Sequence, residues 1–213
     1  MTIPFDRIYF FGDSITLGFN DSYDLGWPGR VCHGMKNDGR DIAVYNLGIN
    51  GDTSDDIGLR WHSEMMARSR DKNGLLVFAF GFNDAAYKNS DQPQVELEQS
   101  VENAHKIMSQ ARSISTVLWI GPTPLDETVN PHDSHNGRWL MYNKKIAEYD
   151  RAYAALASQL KINYLSICEE FLLSQRYKAA LISGDKVHPG DDGYAMIAES
   201  VANWVPWKAL FSQ

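Results

Sequence analysis

The sequence predicts a three-layer α/β/α sandwich, with about five parallel strands and helices on both faces, as a single domain over residues 1–213. Three observations predict it. Five short apolar runs recur along the chain, helical periodicities fill the gaps between them, and no internal repeat, low-complexity tract or linker breaks the alternation. Strands that alternate with helices pair in parallel through right-handed crossovers, which puts helices on both faces of the sheet. A chain of 213 residues, 44% of them hydrophobic and 22% charged, is long enough to bury one such core.

The elements follow in order. The first strand is Arg7–Phe11, and a helix from Trp27 to about Asn37 has Pro28 suited to its first turn. Ile42–Leu47 is the second strand. The next helix runs from Thr53 to Arg68, with Thr53 or Ser54 able to cap it, Asp55 and Asp56 in its first turn, and Ile57, Trp61 and Met65 as its buried stripe. Asp52 is read as a further capping residue. Leu75–Phe80 is the third strand, followed by a helix marked by Leu97, Val101, Ala104 and Met108. The fourth strand is Thr116–Ile120. A long aromatic stripe then predicts a helix from Trp139 through Tyr142, Ile146, Tyr149, Tyr153 and Leu156 to Leu160. Ile162–Leu165 is the last strand. The last helix carries Tyr194, Ile197, Ala198 and Val201, with Asp191 and Asp192 read as its cap. Most of the strands lack polar–apolar alternation, the pattern of strands covered on both faces.

Bulk chemistry excludes several classes. A net charge of -7 argues against a nucleic-acid partner, which needs a basic face. No apolar stretch approaches the roughly 18 residues of a membrane span. The first strand begins by about residue 7, which leaves no room for a signal peptide and predicts a cytoplasmic protein. Cys32 and Cys168 fit no metal or redox motif and are expected to be buried thiols. His132, Asp133 and His135 resemble a small metal cluster but have no third strong ligand, so no metal is expected. His33, His62 and His105 fall in helices with no acid–serine pattern around them.

In a parallel α/β sheet the working site lies at the carboxyl ends of the strands. Chemistry-bearing residues gather there. "FGDSITLG" puts Ser14 directly after the first strand. "NLGINGDTSDD" follows the second with Gly48 and Gly51, and "FGFNDAA" follows the third with Asn83, a side-chain amide donor. "SGDKVHPGDDGY" puts Asp185 three residues before His188, so a turn brings carboxylate and imidazole to one side. Together these residues make acyl-transfer machinery: Ser14 as nucleophile, His188 as its base and Asp185 orienting the imidazole. The amides of Ser14 and Gly51 and the side chain of Asn83 supply oxyanion donors, with Asp13 anchoring the loop. The long segment "GPTPLDETVNPHDSHN" after the fourth strand lies on the same edge, and Arg138, Trp139 and Tyr142 begin the next helix at the pocket rim.

On these blocks the chain resembles the SGNH hydrolases, the GDSL-type esterases and lipases. "FGDSITLG", "NLGINGDTS", "GFND" and "DKVHPGDDGY" are similar to that family's four signature blocks, in order, across residues 10 to 194. The alignment of G-D-T-S selects Gly51 as the oxyanion glycine, with Gly48 the alternative. Ile15 stands where leucine is usual, and Phe82 where a second glycine is frequent; Phe82 either narrows the pocket or packs beneath it. The resemblance implies a flavodoxin-like fold, no cofactor, and hydrolysis of a small-molecule ester or thioester through an acyl-enzyme. The family's members act on lipids, acyl thioesters, acetylated sugars and aryl esters, so no substrate-binding residues are assigned. A flavodoxin-like module that binds a phosphate on exposed amides is the alternative, disfavoured by Asp13 and by the lack of a glycine-rich phosphate loop after the first strand.

Overall fold

The computed structural model describes residues 5–37, 42–70, 73–134 and 137–211. Five strands, β1 (Arg7–Gly12), β2 (Ala43–Gly48), β3 (Gly74–Ala79), β5 (Thr116–Ile120) and β8 (Asn163–Leu165), form one parallel sheet in the order β2-β1-β3-β5-β8. Between them in the chain lie β4 (Tyr87–Lys88), β6 (His132–Ser134) and β7 (Gly137–Leu140), which make a separate antiparallel sheet in the order β4-β7-β6. The five strands are those read from the apolar runs, with ends shifted by a residue.

Alternate residues of each central strand feed opposite cores, which is why these strands read as continuous apolar runs. Tyr9, Phe11, Leu76, Phe78, Val117 and Trp119 face one cluster, covered by α3 (Ser54–Ser69), α5 (Leu97–Ile114) and α6 (Asn143–Leu160). Ile8, Phe10, Leu75, Val77, Leu118 and Ile120 face the other, covered by α2 (Gly26–Asn37), α9 (Gly190–Asn203) and α10 (Val205–Phe211), with α7 (Cys168–Leu173) and α8 (Gln175–Ser183) alongside. The edge strands β2 and β8 are only partly buried, because each has a neighbour on one side alone. Cys32 and Cys168 are both buried, and burial pushes the Cys168 thiol up to about 12.

Two short helices sit at the carboxyl ends of strands: α1 (Ser14–Leu17) after β1, and α4 (Phe82–Ala85) after β3. Asp13 caps α1 by accepting from the Ile15 amide at 2.9 Å. At the other end of α1, Asn46 of β2 donates to the carbonyls of Thr16 and Leu17, closing groups a four-residue helix leaves open.

Three local readings are corrected. The aromatic stripe does not begin α6 at Trp139: that residue is in β7, paired with Lys88 and His132, and the helix starts at Asn143 after Tyr142. The three-residue spacing from Trp139 to Tyr142 is an accident of a strand running into a helix. Asp52 does not cap α3; Thr53 does, in a capping box with Asp56, while Asp52 pairs with Arg60 at 2.6 Å. Asp191 and Asp192 do not cap α9 either: Asp191 instead receives the Ser22 amide at 2.8 Å and the Ser22 hydroxyl. The long segment after the fourth strand holds a 3₁₀ turn at Glu127–Val129 and strand β6. His135 and Asn136 lie outside the described residues.

Candidate functional site

Ser14, Asp185 and His188 come together from 174 residues apart. His188 Nε2 lies 2.9 Å from Ser14 Oγ, and His188 Nδ1 lies 2.7 Å from Asp185 Oδ2. A carboxylate only accepts, so Nδ1 carries the proton and Nε2 is left to accept from the serine hydroxyl. The loop between α8 and α9 builds this pair locally. Asp185 Oδ1 accepts the amides of Val187 at 2.9 Å and His188 at 2.7 Å, an Asx-type turn that fixes the carboxylate below the imidazole. Burial alone would raise the Asp185 carboxyl; the His188 hydrogen bond and charge, with the two amides, outweigh it and hold it at about 2.

Ser14 is 6% exposed at the start of α1, where first-turn amides have no acceptor within the helix. Asp13 beside it is fully buried, and that burial lifts its carboxyl to about 7 against the pull of the Ile15 amide and His188. Asn83 is held on α4. Its Nδ2 donates to the Asp52 carbonyl at 2.9 Å and faces Asp13 Oδ2 at 3.4 Å. Its own carbonyl accepts from Gln94 Nε2 at 2.8 Å.

The two glycines differ sharply. Gly48 ends β2, and a Cβ there would lie 2.2 Å from the Leu17 amide and 2.8 Å from the Asp13 carbonyl, so it is packed beneath α1. Gly51 has φ +86, open space on its Cβ side, and lines the cleft with Ser14 and Asn83. That cleft, about 510 Å³, also holds Asp185 and His188. Phe82 is buried in the core and also lines the cleft. The small sheet forms one wall. Lys88, Trp139 and His132 are cross-strand neighbours in one row, all lining the cleft, with Lys88 Nζ 4.8 Å from the centre of the Trp139 ring. Among the described residues, no group of three or more His, Cys, Asp or Glu is arranged to hold a metal ion.

Several residues that shape the site were not read from the sequence. Arg60 of α3 joins Asp52 to the Gly12 carbonyl, which its Nη2 reaches at 3.1 Å, and so ties the Gly51 loop to the end of β1. Asp84, completely buried, accepts the Ser54 amide at 2.9 Å and the Ser100 hydroxyl at 2.7 Å. Asn20 reaches Asp185 Oδ2 at 2.9 Å. A polar residue on a helix or in a turn carries no sequence signal for such long-range partners; Asp84 stood inside a block, "GFND", but nothing there marked what it bonds.

The model of the GDSL-like lipase/acylhydrolase family matches residues 10–196. The chain belongs to this family. The GDSL-like assignment agrees with the resemblance carried by the four blocks. A Bacillus subtilis (strain 168) protein named uncharacterized lipoprotein YqeF is 29% identical over 110 residues, 51% of this chain and 44% of that protein; the chain spans less than half of that relative's length. Among solved structures, the acetylxylan esterase Axe2 of Geobacillus stearothermophilus has a TM-score of 0.71 at 21% identity, covering 94% of both chains. A lipase/acylhydrolase of Enterococcus faecalis has a TM-score of 0.69 at 21% identity, covering 92% of this chain and 93% of that one. These likenesses bear on the fold of this GDSL-like chain. Structures of Axe2 include catalytic mutants in which a serine, an aspartate or a histidine is replaced by alanine. No helix among the described residues is long and apolar enough to cross a membrane.

Proposed function

We propose that this GDSL-like protein hydrolyses carboxylic esters or thioesters through an acyl-enzyme on Ser14. The observation that carries the proposal is the unbroken hydrogen-bond chain from Ser14 Oγ through both nitrogens of His188 to Asp185. His188 Nε2 takes the Ser14 proton as Oγ attacks the carbonyl carbon, and the Asp185 carboxylate stabilises the imidazolium that forms. Negative charge then develops on the carbonyl oxygen, where the amides of Ser14 and Gly51 donate together with Asn83 Nδ2, whose second hydrogen exchanges its long contact with Asp13 for the oxyanion. Gly51 is favoured over Gly48 because it borders the cleft, whereas Gly48 is packed under α1. The imidazolium protonates the leaving alcohol or thiol as the acyl-enzyme forms. Water, deprotonated by His188, then frees the acid and restores Ser14.

The Trp139 row and Val187 flank the reacting groups and are assigned to substrate contact. Short acyl groups are the first substrates to assay, since the structural relative Axe2 is an acetylxylan esterase. A cytoplasmic location belongs to the same proposal, and cell fractionation tests it.

The decisive experiment is labelling with a fluorophosphonate probe, read by peptide mass, beside turnover of short-chain p-nitrophenyl esters at neutral to mildly alkaline pH. Ser14 is the expected site, and Ser14→Ala should lose on the order of 10⁶-fold in turnover. A chain left unlabelled and inactive would instead favour the phosphate-binding reading. Retention of most activity in Ser14→Ala would remove that residue as nucleophile.

A further inference from the structure

The Asp185 carboxylate accepts four hydrogen bonds. Val187 and His188 supply two amides and one imidazole N–H, all within three residues along the chain. Those three hold the carboxylate only relative to its own loop. The fourth donor, Asn20 Nδ2 at 2.9 Å, comes from 165 residues away, in the turn directly after the helix that bears Ser14. It is therefore the contact that registers the acid against the nucleophile's own element.

The turn is built to present it. Asn20 is left-handed, with φ 63, a conformation asparagine tolerates better than most residues. Asp21 locks the turn, accepting the amides of Leu25 and Gly26 and both guanidinium ends of Arg30. Phe19 lies against the imidazole, ring centres 4.7 Å apart, and its carbonyl accepts from Tyr194 Oη at 2.8 Å. Ser22 binds Asp191 through its amide and its hydroxyl. The turn is thus stapled to α9 on either side of Asn20.

We propose that Asn20 is a positioning residue: its carboxamide fixes the Asp185 carboxylate, and through it the His188 ring, against the Ser14 hydroxyl. The proposal rests on the hydrolase reading and adds to it a residue outside the four sequence blocks' assigned roles. Asp13 also acts electrostatically on His188, while Tyr194, pushed up by burial and by the carboxylates around it, stays uncharged; neither is altered by substitution at Asn20.

Two variants test it. Asn20→Gly keeps the left-handed backbone and removes the amide; kcat for p-nitrophenyl acetate should fall about 10-fold with KM within about 2-fold. Asn20→Asp keeps the size but sets a second carboxylate against Asp185; it should lose more and move the acid limb of the kcat–pH profile to higher pH, because added negative charge favours the imidazolium. A wild-type kcat in folded Asn20→Gly, or an unshifted limb in Asn20→Asp, overturns the assignment. If the glycine variant is unstable in thermal unfolding, the aspartate variant decides. The low-field proton resonance of His188 Nδ1–H reads the same contact without turnover. It should move in either variant, and an unmoved resonance overturns the role of Asn20 even if the wild type lacks esterase activity, a result that separately sinks the hydrolase reading.

Discussion

Replacing Asp84 by alanine tests whether the buried acid beneath the site holds the site's scaffold together. Asp84 is adjacent to Asn83 on α4, and its two oxygens receive the first amide of α3 and the Ser100 hydroxyl of α5, which in turn bonds Tyr153 Oη of α6. One carboxylate therefore joins four helices and follows the Gly51 loop by way of Ser54. A hydrogen bond to a charged group is worth about 1.5–3 kcal/mol, so two such bonds give about 3–6 kcal/mol. Burial raises the Asp84 carboxyl despite these donors, so some of that gain offsets desolvation of the charge. Alanine should then cost about 3–5 kcal/mol, or about 6–20 °C in Tm for a domain of this size. Asparagine should behave differently. Its Oδ1 can accept the Ser54 amide while Nδ2 donates to Ser100 Oγ, which reverses to donate to Tyr153 Oη; both contacts of residue 84 survive, and the protons left without an acceptor are one on Nδ2 and one on Tyr153 Oη. Asp84→Asn should therefore cost about 1–3 kcal/mol, less than alanine. The pH trend has a definite sign. A carboxyl raised in the fold binds its proton more readily folded than unfolded, so its contribution declines as pH rises above its ordinary value, and Asp84→Asn should gain on wild type over that climb. Urea unfolding followed by circular dichroism measures all three. An Asp84→Ala variant within about 1 kcal/mol of wild type would refute the scaffold argument.

Further outcomes are expected. Asn83→Ala should lose about 10²- to 10³-fold in kcat, the usual loss for one oxyanion donor, and unchanged esterase kinetics would remove Asn83 from that role. Gly48→Ala should abolish soluble, active protein, since its Cβ meets backbone atoms of α1, whereas Gly51→Ala should cost about 1–2 kcal/mol of left-handed strain and stay folded; equal thermal stability of the two would contradict the packing. Because Asp185 is held at about 2, its stabilisation is full above the ordinary carboxyl value and is lost as pH falls from about 4 to about 2. The stability gap between wild type and Asp185→Ala should close over that range, and a constant gap would argue against the His188 bond as its source. Trp139→Ala should raise KM by about 10-fold for esters of bulky alcohols and leave p-nitrophenyl acetate little changed; equal effects on both would detach the small sheet from specificity.

The sequence by itself determined the five-stranded sheet, five of the helices that cover it and the five residues of the proposed site, but not α7, α8 or α10. Central strands buried on both faces must be apolar throughout, and helices covering them must carry a one-sided stripe, so both patterns survive in one dimension. Ser14, Gly51, Asn83, Asp185 and His188 were legible because each stands in a short block at a strand end or helix start, where backbone geometry restricts the residue types. Tertiary structure alone decided the rest. The Asp52–Arg60 pair, the Asp191–Ser22 contact, the burial of Asp84 and the reach of Asn20 to Asp185 join residues far apart in the chain, and no local period records them. Trp139 makes the same point: its spacing fits a helix, but pairing with Lys88 and His132 holds it in a strand, because hydrogen bonds across strands override a weak local preference.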